Sequence, residues 1–257
     1  MNYSEMMVAF VTLVRKEIRR FMRIWVQTLV PPAITMTLYF VIFGAIIGSR
    51  IGDMGGFTYM EFVVPGLIMM SVINNSYSNV VSSFFGAKFN NSLEELLVSP
   101  TPSFVILAGY VCGGMARGLC VGVIVTLMST FFADLNIQHI GITVLTVVLT
   151  SMMFSLAGFI NAVFANSFDD INIIPTFVLT PLIYLGGVFY SVSLLPDFWA
   201  GVSKVNPMLY MVNTFRYGII GVSDIDYRLA FGMIVFFILV IGGFAYYLLE
   251  TGRRIRT

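Results

Sequence analysis

Long apolar segments are the feature that most restricts the fold of this chain. They lie at roughly 24–48, 58–82, 104–132, 138–165, 171–191 and 229–250. About 20 apolar residues in a helix cross the ~30 Å hydrocarbon layer of a bilayer, where every backbone polar group needs a partner within the protein. The segments therefore predict an all-α, polytopic membrane protein with six transmembrane helices.

The composition supports the same class. The 257 residues are 58% hydrophobic and 11% charged, whereas soluble domains have about 25% charged residues. The net charge of +1 creates no field that would attract a polyanion. A soluble globular protein, a nucleic-acid binder and a disordered chain are therefore excluded, and residues 1–257 are expected to form a single transmembrane domain.

Residues 4–22 predict an amphipathic helix ahead of the first span. Apolar residues recur at helical spacing, while Lys16, Arg19, Arg20 and Arg23 fall mainly on the other side. Such a helix lies in the membrane interface with its cations toward the lipid headgroups, although a soluble charged tail is the alternative.

Lys and Arg placement predicts the orientation. If both ends are cytoplasmic, nine cations fall inside, with Arg253, Arg254 and Arg256 among them. Four fall outside, namely Arg50, Lys204, Arg216 and Arg228. This bias favours a multi-pass protein with the N- and C-termini inside.

The region 192–228 is too polar to span a membrane and too apolar for an ordinary loop. A pair of short, half-inserted helices broken at Asn206 and Pro207, with Arg216 in the second, explains this mixture best.

The connection 83–103 carries a predicted short helix at 92–98. Ser92 and Glu95 have the spacing of a capping box, Glu94 favours the positive helix N-terminus, and Pro100 ends the helix. Two interpretations stay open: a lever that docks into a cytoplasmic partner, and a helix that covers the end of the bundle.

The third span contains glycines at small-xxx-small spacing, which let another helix approach closely. They are Gly109, Gly113, Gly114, Gly118 and Gly122. Packing within the chain is favoured over a subunit interface. Arg117 lies near the middle of this span, where its charge must face the bundle interior or water. Its role as a pathway residue and its role as a structural cation both stay open.

A polar stripe runs along the second span at spacings of three and four. Its members are Ser71, Asn75, Ser78, Asn79 and Ser82. Lipid does not accept such a stripe, so it faces other helices or water. Interhelical hydrogen bonding and a translocation path are the two interpretations.

The loop 166–170 contains Asp169 and Asp170. An N-cap for the next helix is favoured over a second contact with a cytoplasmic partner. The fifth span then contains Pro175 and Pro181, which predict a kink.

Several chemistries are missing from the sequence. It has no GxxxxGK[ST] and no GxSxG motif, and its single histidine, His139, belongs to no metal-binding pattern. No catalytic residue, metal site or cofactor is therefore predicted in this chain.

Long runs of the sequence resemble the membrane subunits of ATP-binding-cassette exporters of the ABC-2 class. The runs are FMRIWVQTLVPP at 21–32, VPGLIMMS at 64–71, SFFGAKF at 83–89, FDDI at 168–171, PTFVLTP at 175–181, YLGGVFYS at 184–191, NP at 206–207 and FRYG at 215–218.

The resemblance implies six spans, an N-terminal interfacial helix and an outer re-entrant hairpin at about 193–222. It implies a homodimer in the bacterial inner membrane, coupled to two copies of a separate cytoplasmic ATPase that carries ATP and Mg²⁺. The coupling helix maps to 92–98. The candidate coupling residues are Lys88, Ser92, Leu93, Glu94, Glu95, Leu96 and Leu97.

Polysaccharide, lipid-linked and amphipathic drug-like cargo are the classes that the resemblance implies, with membrane lipid around the protein. The alternatives are a secondary transporter or channel that works alone and a membrane scaffold. A proton-coupled transporter would be expected to carry intramembrane carboxylates, and no span has one near its centre.

Overall fold

The computed structural model describes residues 2–48, 50, 52–54 and 56–252, most of which are helical. The helices are α1 Tyr3–Arg23, α2 Trp25–Thr28, α3 Val30–Val41, α4 Tyr59–Phe89, α5 Ser92–Val98, α6 Ser103–Ser129, α7 Ile140–Phe164, α8 Asp170–Ile174, α9 Thr180–Leu185, α10 Asp197–Val205, α11 Pro207–Ile220 and α12 Tyr227–Thr251. A π-helical segment, Ile42–Gly48, continues α3, and another, Pro175–Leu179, joins α8 to α9.

Short elements complete the chain. Strands β1 Asp53–Met54 and β2 Phe57–Thr58 pair antiparallel, with Asp53 opposite Thr58. A 3₁₀ turn covers Val192–Leu194.

Helix α4 is the centre of the bundle. It has 31 residues and begins with a reciprocal capping box, in which Thr58 and Glu61 satisfy each other's backbone N–H groups. Most of its residues are buried against α6, α7 and α11. The end at which α10 and α11 lie is called the hairpin end, and the opposite end is called the α5 end.

The glycines of α6 serve packing within the chain, as the sequence predicted. A Cβ atom at Gly113 would lie 2.8 Å from Cγ of Glu17 in α1, and one at Gly114 would lie 2.5 Å from Cγ2 of Val80 in α4. Because no side chain intervenes, α6 lies against α1 on one side and α4 on another.

The predicted spans are helical, but length and composition confirm only part of the prediction of six. Four described segments are long and apolar enough to cross a membrane: Trp25–Gly48, Ser103–Ser129, Ile140–Phe164 and Tyr227–Thr251. Helix α4 is long enough to cross a membrane, but its polar stripe lowers its mean hydropathy. The segment Asp170–Leu185 is apolar but shorter.

The predicted kink in the fifth span appears as an interruption. The π-helical segment Pro175–Leu179 separates α8 from α9. Pro175 and Pro181 each lack an N–H donor, so regular hydrogen bonding cannot continue through them.

The predicted capping box at Ser92 and Glu95 is wrong. Helix α4 continues to Phe89, and Asn91 reverses the chain with φ of +58°. Ser92 is therefore the first residue of α5 and not its N-cap. Its hydroxyl donates to the carbonyl of Ala87 at 3.2 Å, which fastens α5 to the end of α4.

Candidate functional site

The buried part of the polar stripe on α4 meets Arg117 of α6. Nη2 of Arg117 donates to Oδ1 of Asn75 at 3.1 Å and to the carbonyl of Thr28 at 3.3 Å. Nδ2 of Asn75 in turn donates to the carbonyl of Ser71 at 3.0 Å. The sequence did not indicate a partner for Arg117. In the structure its hydrogen bonds join α2, α4 and α6.

A second cation reaches the stripe from the interfacial helix. Nη2 of Arg20 donates to Oδ1 of Asn79 at 2.8 Å and to its carbonyl at 2.9 Å, and Nη1 lies 3.5 Å from Oγ of Ser82. The expectation that the cations of α1 all point to the headgroups is therefore wrong for Arg20. Arg20 instead binds Asn79 and Ser82, which lie about one helical turn apart on α4.

Glu17 is a buried acid that the sequence analysis did not select. Its side chain is 1% exposed, accepts a hydrogen bond from Ser83 at 2.7 Å and forms an ion pair with Arg20 at 3.3 Å. A signal for it was present, because Leu13, Glu17 and Phe21 follow at spacings of four and all three are buried. An acid inside the apolar face of an amphipathic helix indicates a buried partner.

The stripe is thus divided into two parts. Ser71, Asn75 and Asn79 are buried, whereas Ser78 and Ser82 are exposed on the surface of the chain. Oγ of Ser71, Nδ2 of Asn79 and Nε of Arg117 have no hydrogen-bond partner in the described part of the protein. The buried part therefore bonds helices together, as the interhelical interpretation expects, and the exposed part forms a polar surface.

Arg117→Leu is expected to lower the free energy of unfolding by about 1 kcal/mol, because Asn75 and Thr28 lose the donor that they share. The measurement is the thermal midpoint of the purified protein in mild detergent. Met115→Leu, a substitution of similar volume on the same helix, is the control. A midpoint at or above that of the unchanged protein would contradict a structural role for Arg117.

The α5 end carries the predicted coupling residues. Leu93 is buried, Leu96 and Leu97 are partly buried, and Glu94 and Glu95 are exposed together. Leucines on one face hold the short helix on the bundle, so that its two carboxylates project from the end.

Lys88, unlike the exposed Glu94 and Glu95, bonds to another helix. Its Nζ donates to the carbonyls of Val163 and Ala165, both at 3.0 Å. These carbonyls lie at the C-terminus of α7, where a cation is favoured by the helix dipole. Lys88 thus ties the end of α4 to the end of α7 beneath the exposed surface.

The loop before α8 lies beside this surface. The ring of Phe168 lies 5.0 Å from the rings of both Phe85 and Phe89, measured between centroids. Asp170 accepts the N–H groups of Asn166 at 2.9 Å and Ser167 at 3.1 Å, while Asp169 is exposed. Neither aspartate is a side-chain N-cap of α8, because Asp169 at the N-cap position makes no cap and Asp170 is the first helical residue and accepts N–H groups that precede the helix. The aromatic cluster packs this loop against the end of α4.

The region 193–222 forms two helices joined at Asn206, as the sequence predicted. Oδ1 of Asn206 accepts the N–H of Met208 at 3.0 Å and caps α11, whose first residue is Pro207. Nδ2 of Asn206 donates to the carbonyl of Leu182 in α9 at 2.6 Å. The joint between α10 and α11 is therefore attached to the fifth apolar segment.

Arg216 is fully buried, although the orientation analysis counted it among the outer cations. Nε donates to the carbonyl of Phe62 at 3.1 Å, and Nη2 donates to that of Gly187 at 2.6 Å. The guanidinium carbon lies 3.8 Å from the ring centroid of Phe62. These contacts join α11 to α4 and to the turn after α9. Arg253, Arg254 and Arg256 of the same count lie outside the described residues.

A further attachment of the hairpin involves residues that the sequence analysis did not select. Asp224 accepts hydrogen bonds from the hydroxyl of Ser191 at 2.6 Å and the N–H of Val192 at 3.0 Å. Its own N–H donates to Oδ1 of Asn213 in α11 at 3.0 Å. No local sequence pattern links these residues, since the loops that carry them are far apart in the chain.

The described residues contain no group of three or more His, Cys, Asp and Glu side chains that could hold a metal ion.

Comparison with known proteins shows to which family this chain belongs. The family model described as ABC-2 type transporter matches residues 8–220, so the chain belongs to the ABC-2 type transporter family. It is 60% identical to "Inner membrane transport permease YadH" of Escherichia coli strain K12, over 97% of this chain and 98% of that protein.

More distant relatives share the name "Nodulation protein J". The protein from Sinorhizobium fredii is 22% identical over 66% of this chain and 65% of its own length. That from Rhizobium leguminosarum bv. viciae is 20% identical over 79% of each. The chain is therefore a membrane permease of the ABC-2 family, as the sequence resemblance indicated.

Proposed function

We propose that this permease is the transmembrane subunit of an ATP-driven exporter, which forms the translocation path and is coupled to a separate cytoplasmic ATPase. The proposal rests on the exposed surface at the α5 end of this ABC-2 family member. There the acidic helix α5 exposes Glu94 and Glu95, and the rings of Phe89 and Phe168 are exposed at the same end of the bundle. Such a surface has the mixed charge and aromatic character of a protein-binding patch. ATP and Mg²⁺ belong to the partner.

Movement of α5 would be passed directly to the bundle through its contacts with α4. Ser92 bonds to the end of α4, Leu93 is buried in the core and Lys88 joins α4 to α7. We infer that two ATPase copies, on closing around ATP, push the coupling helices of two permeases. Helix α4, which carries the polar stripe, then shifts with them and opens the path.

A second copy of the permease completes that path in our proposal. Ser78 and Ser82 present exposed hydroxyl groups on α4, and polar side chains on a membrane span face other helices or water more favourably than lipid. The span Trp25–Gly48 is also little buried: only 12% of its apolar stretch lies inside the bundle. A homodimer would cover this side of the bundle, with Arg117 and the polar stripe along the path.

The proposed orientation has both termini in the cytoplasm, six spans, α1 in the interface and α10–α11 as an outer re-entrant hairpin. The family resemblance supports export of a polysaccharide, a lipid-linked glycan or an amphipathic compound. The placement of α5 and the hairpin at opposite ends of the bundle is compatible with this orientation.

The test is purification of the tagged permease from its native membrane in mild detergent, with mass spectrometry of the proteins that accompany it. A cytoplasmic ATP-binding subunit in equal amount is expected. The double variant Glu94→Lys/Glu95→Lys is expected to lose at least 90% of that subunit, because reversing two exposed carboxylates makes an interface charge pattern repulsive.

Glu250→Lys is the matched control, because Glu250 is also exposed and lies at the α5 end, on α12. It is expected to retain the ATPase. Equal thermal midpoints would show that all three proteins fold. A permease that carries no ATPase even after crosslinking would overturn the proposal in favour of a transporter that works alone.

A further inference from the structure

Two guanidinium groups bind successive turns of the polar stripe on α4. Arg117 of α6 bonds to Asn75, and Arg20 of α1 bonds to Asn79. The two asparagines are four residues apart, which is about 6 Å along a helix. The fold therefore brings two positive charges from different helices to one face of α4.

The negative charge at this place does not balance the two cations. Glu17 forms its ion pair with Arg20, at 3.3 Å. Arg117 bonds to the neutral oxygens of Asn75 and Thr28, and among the described residues it has no carboxylate partner. An ionised group in a membrane span is costly unless a counter-charge or polar partners surround it. The charge of Arg117 is therefore left uncompensated within the described chain.

Unused hydrogen-bond donors lie beside the same two cations. Arg117 makes both of its hydrogen bonds through Nη2. Its Nε, and Nδ2 of the fully buried Asn79, have no acceptor in the part of the chain that the structure describes. Nη1 of Arg20 has only Oγ of Ser82, at 3.5 Å, which is too long for a strong hydrogen bond. All of these groups are donors, so the chemistry that would satisfy them is that of an acceptor.

The pair of arginines can be reached from the surface of the chain. The side chain of Arg20 is 30% exposed, Arg117 is partly exposed, and Ser78 is exposed between the two asparagines. Helix α2, whose Thr28 carbonyl binds Arg117, exposes Trp25. Tryptophan is typical of the headgroup level of a membrane. An anionic head joined to an apolar tail matches this combination of charge and apolar surface.

We propose that Arg20 and Arg117 bind the phosphate group of an amphipathic molecule, with Ser78 and Ser82 at its edge. The planar guanidinium fork matches phosphate oxygens, and each cation then gains a counter-charge. Water would accept the same hydrogen bonds but would leave the positive charge uncompensated.

As a statement about cargo, this inference rests on the proposed export function, for which it names an anionic, phosphate-bearing head. The binding itself requires neither export nor an ATPase, so it is measured on the permease alone.

The test uses the purified, delipidated permease in detergent, with palmitoyl-oleoyl phosphatidic acid as the probe. Native mass spectrometry measures the affinity of the first bound lipid. Arg20→Gln and Arg117→Gln are each expected to weaken binding about tenfold, because each removes charge-assisted hydrogen bonds to the phosphate. Arg19→Gln is the matched control, since Arg19 is exposed on the same helix as Arg20. It is expected to change the affinity by less than about twofold. An equal loss in Arg19→Gln and Arg117→Gln would show unspecific charge attraction and overturn the site.

A second pair of variants keeps the test decisive if the arginine variants fold poorly. Ser78→Asp places a carboxylate beside both guanidinium groups, where it competes with the lipid. The affinity is expected to fall about tenfold or more, while the thermal midpoint stays equal or rises. Ser78→Asn has nearly the same size without the charge and is expected to bind as the unchanged protein does. Equal affinities of the two Ser78 variants would overturn the proposal.

Two further probes identify the bound group. Dioleoylglycerol, which lacks the phosphate, is expected to bind about tenfold more weakly or worse; equal affinity would overturn the phosphate contact. Inorganic phosphate at the concentration of the lipid is expected to leave phosphatidic acid bound, whereas full displacement would overturn the amphipathic source. Since no ATPase is present, a failure here is distinguishable from a failure of the proposed function, which is tested by co-purification.

Discussion

Gly118→Leu is expected to destabilise the permease by about 3 kcal/mol or more, because α4 and α6 touch at this glycine. A Cβ atom there would overlap Oγ of Ser76 and lie 3.1 Å from Cβ of Ser76 and 3.3 Å from the carbonyl of Val72. The nearest atoms thus belong to or adjoin the backbone of α4. The helices must separate, and the neighbouring Gly114 contacts separate with them.

The measurement is the thermal midpoint in mild detergent, together with the fraction of monodisperse protein on gel filtration. Gly232→Leu is the matched control, since a Cβ atom at Gly232 in α12 meets nothing within 4 Å. The control is expected to equal or slightly exceed the unchanged protein, because leucine favours a helix more than glycine does. Similar midpoints for the two variants would contradict close packing between α4 and α6.

Arg216→Ala is expected to cost about 3 kcal/mol. The substitution empties the space of a fully buried side chain and leaves the carbonyl of Gly187 without its donor. It also releases α11 from Phe62 of α4. Faster proteolysis of the α10–α11 hairpin is expected along with a lower thermal midpoint.

Two further variants complete this test: one separates charge from geometry at position 216, and the other is a control. Arg216→Lys keeps the charge, but a lysine lacks the planar fork that binds two carbonyls at once, so most of the loss is expected to remain. Arg228→Ala is the control, because Arg228 is exposed at the same end, and its effect is expected to stay within about 0.5 kcal/mol. An Arg216→Ala protein as stable as this control would refute the joining role of Arg216.

Much of the site was predictable as separate pieces. The polar stripe, Arg117, the short helix at 92–98 and the break at Asn206 all follow from residue types and spacing. The links between the pieces were not predictable. Asn75 and Arg117 are 42 residues apart, and Arg216 reaches Phe62 across 154 residues. No local pattern encodes such a separation.

The failed capping box shows the same limit at short range. Ser92 and Glu95 have the right spacing, but capping also requires that the serine stand just before the helix. Helix α4 continues farther than its apolar pattern suggested, and the reversal at Asn91 then makes Ser92 the first helical residue. The packing of α4 against its neighbours decided where the turn fell.

The sequence by itself determined that this is a helical membrane protein of the ABC-2 class. Long apolar segments leave helices as the available structure in lipid, and proline and asparagine mark local breaks whatever surrounds them. Only the tertiary structure decided that Arg20 and Glu17 turn inward, that Lys88 holds α7 and that the stripe on α4 is half buried and half exposed. A buried polar group needs a partner, and which partner it meets depends on how the helices pack.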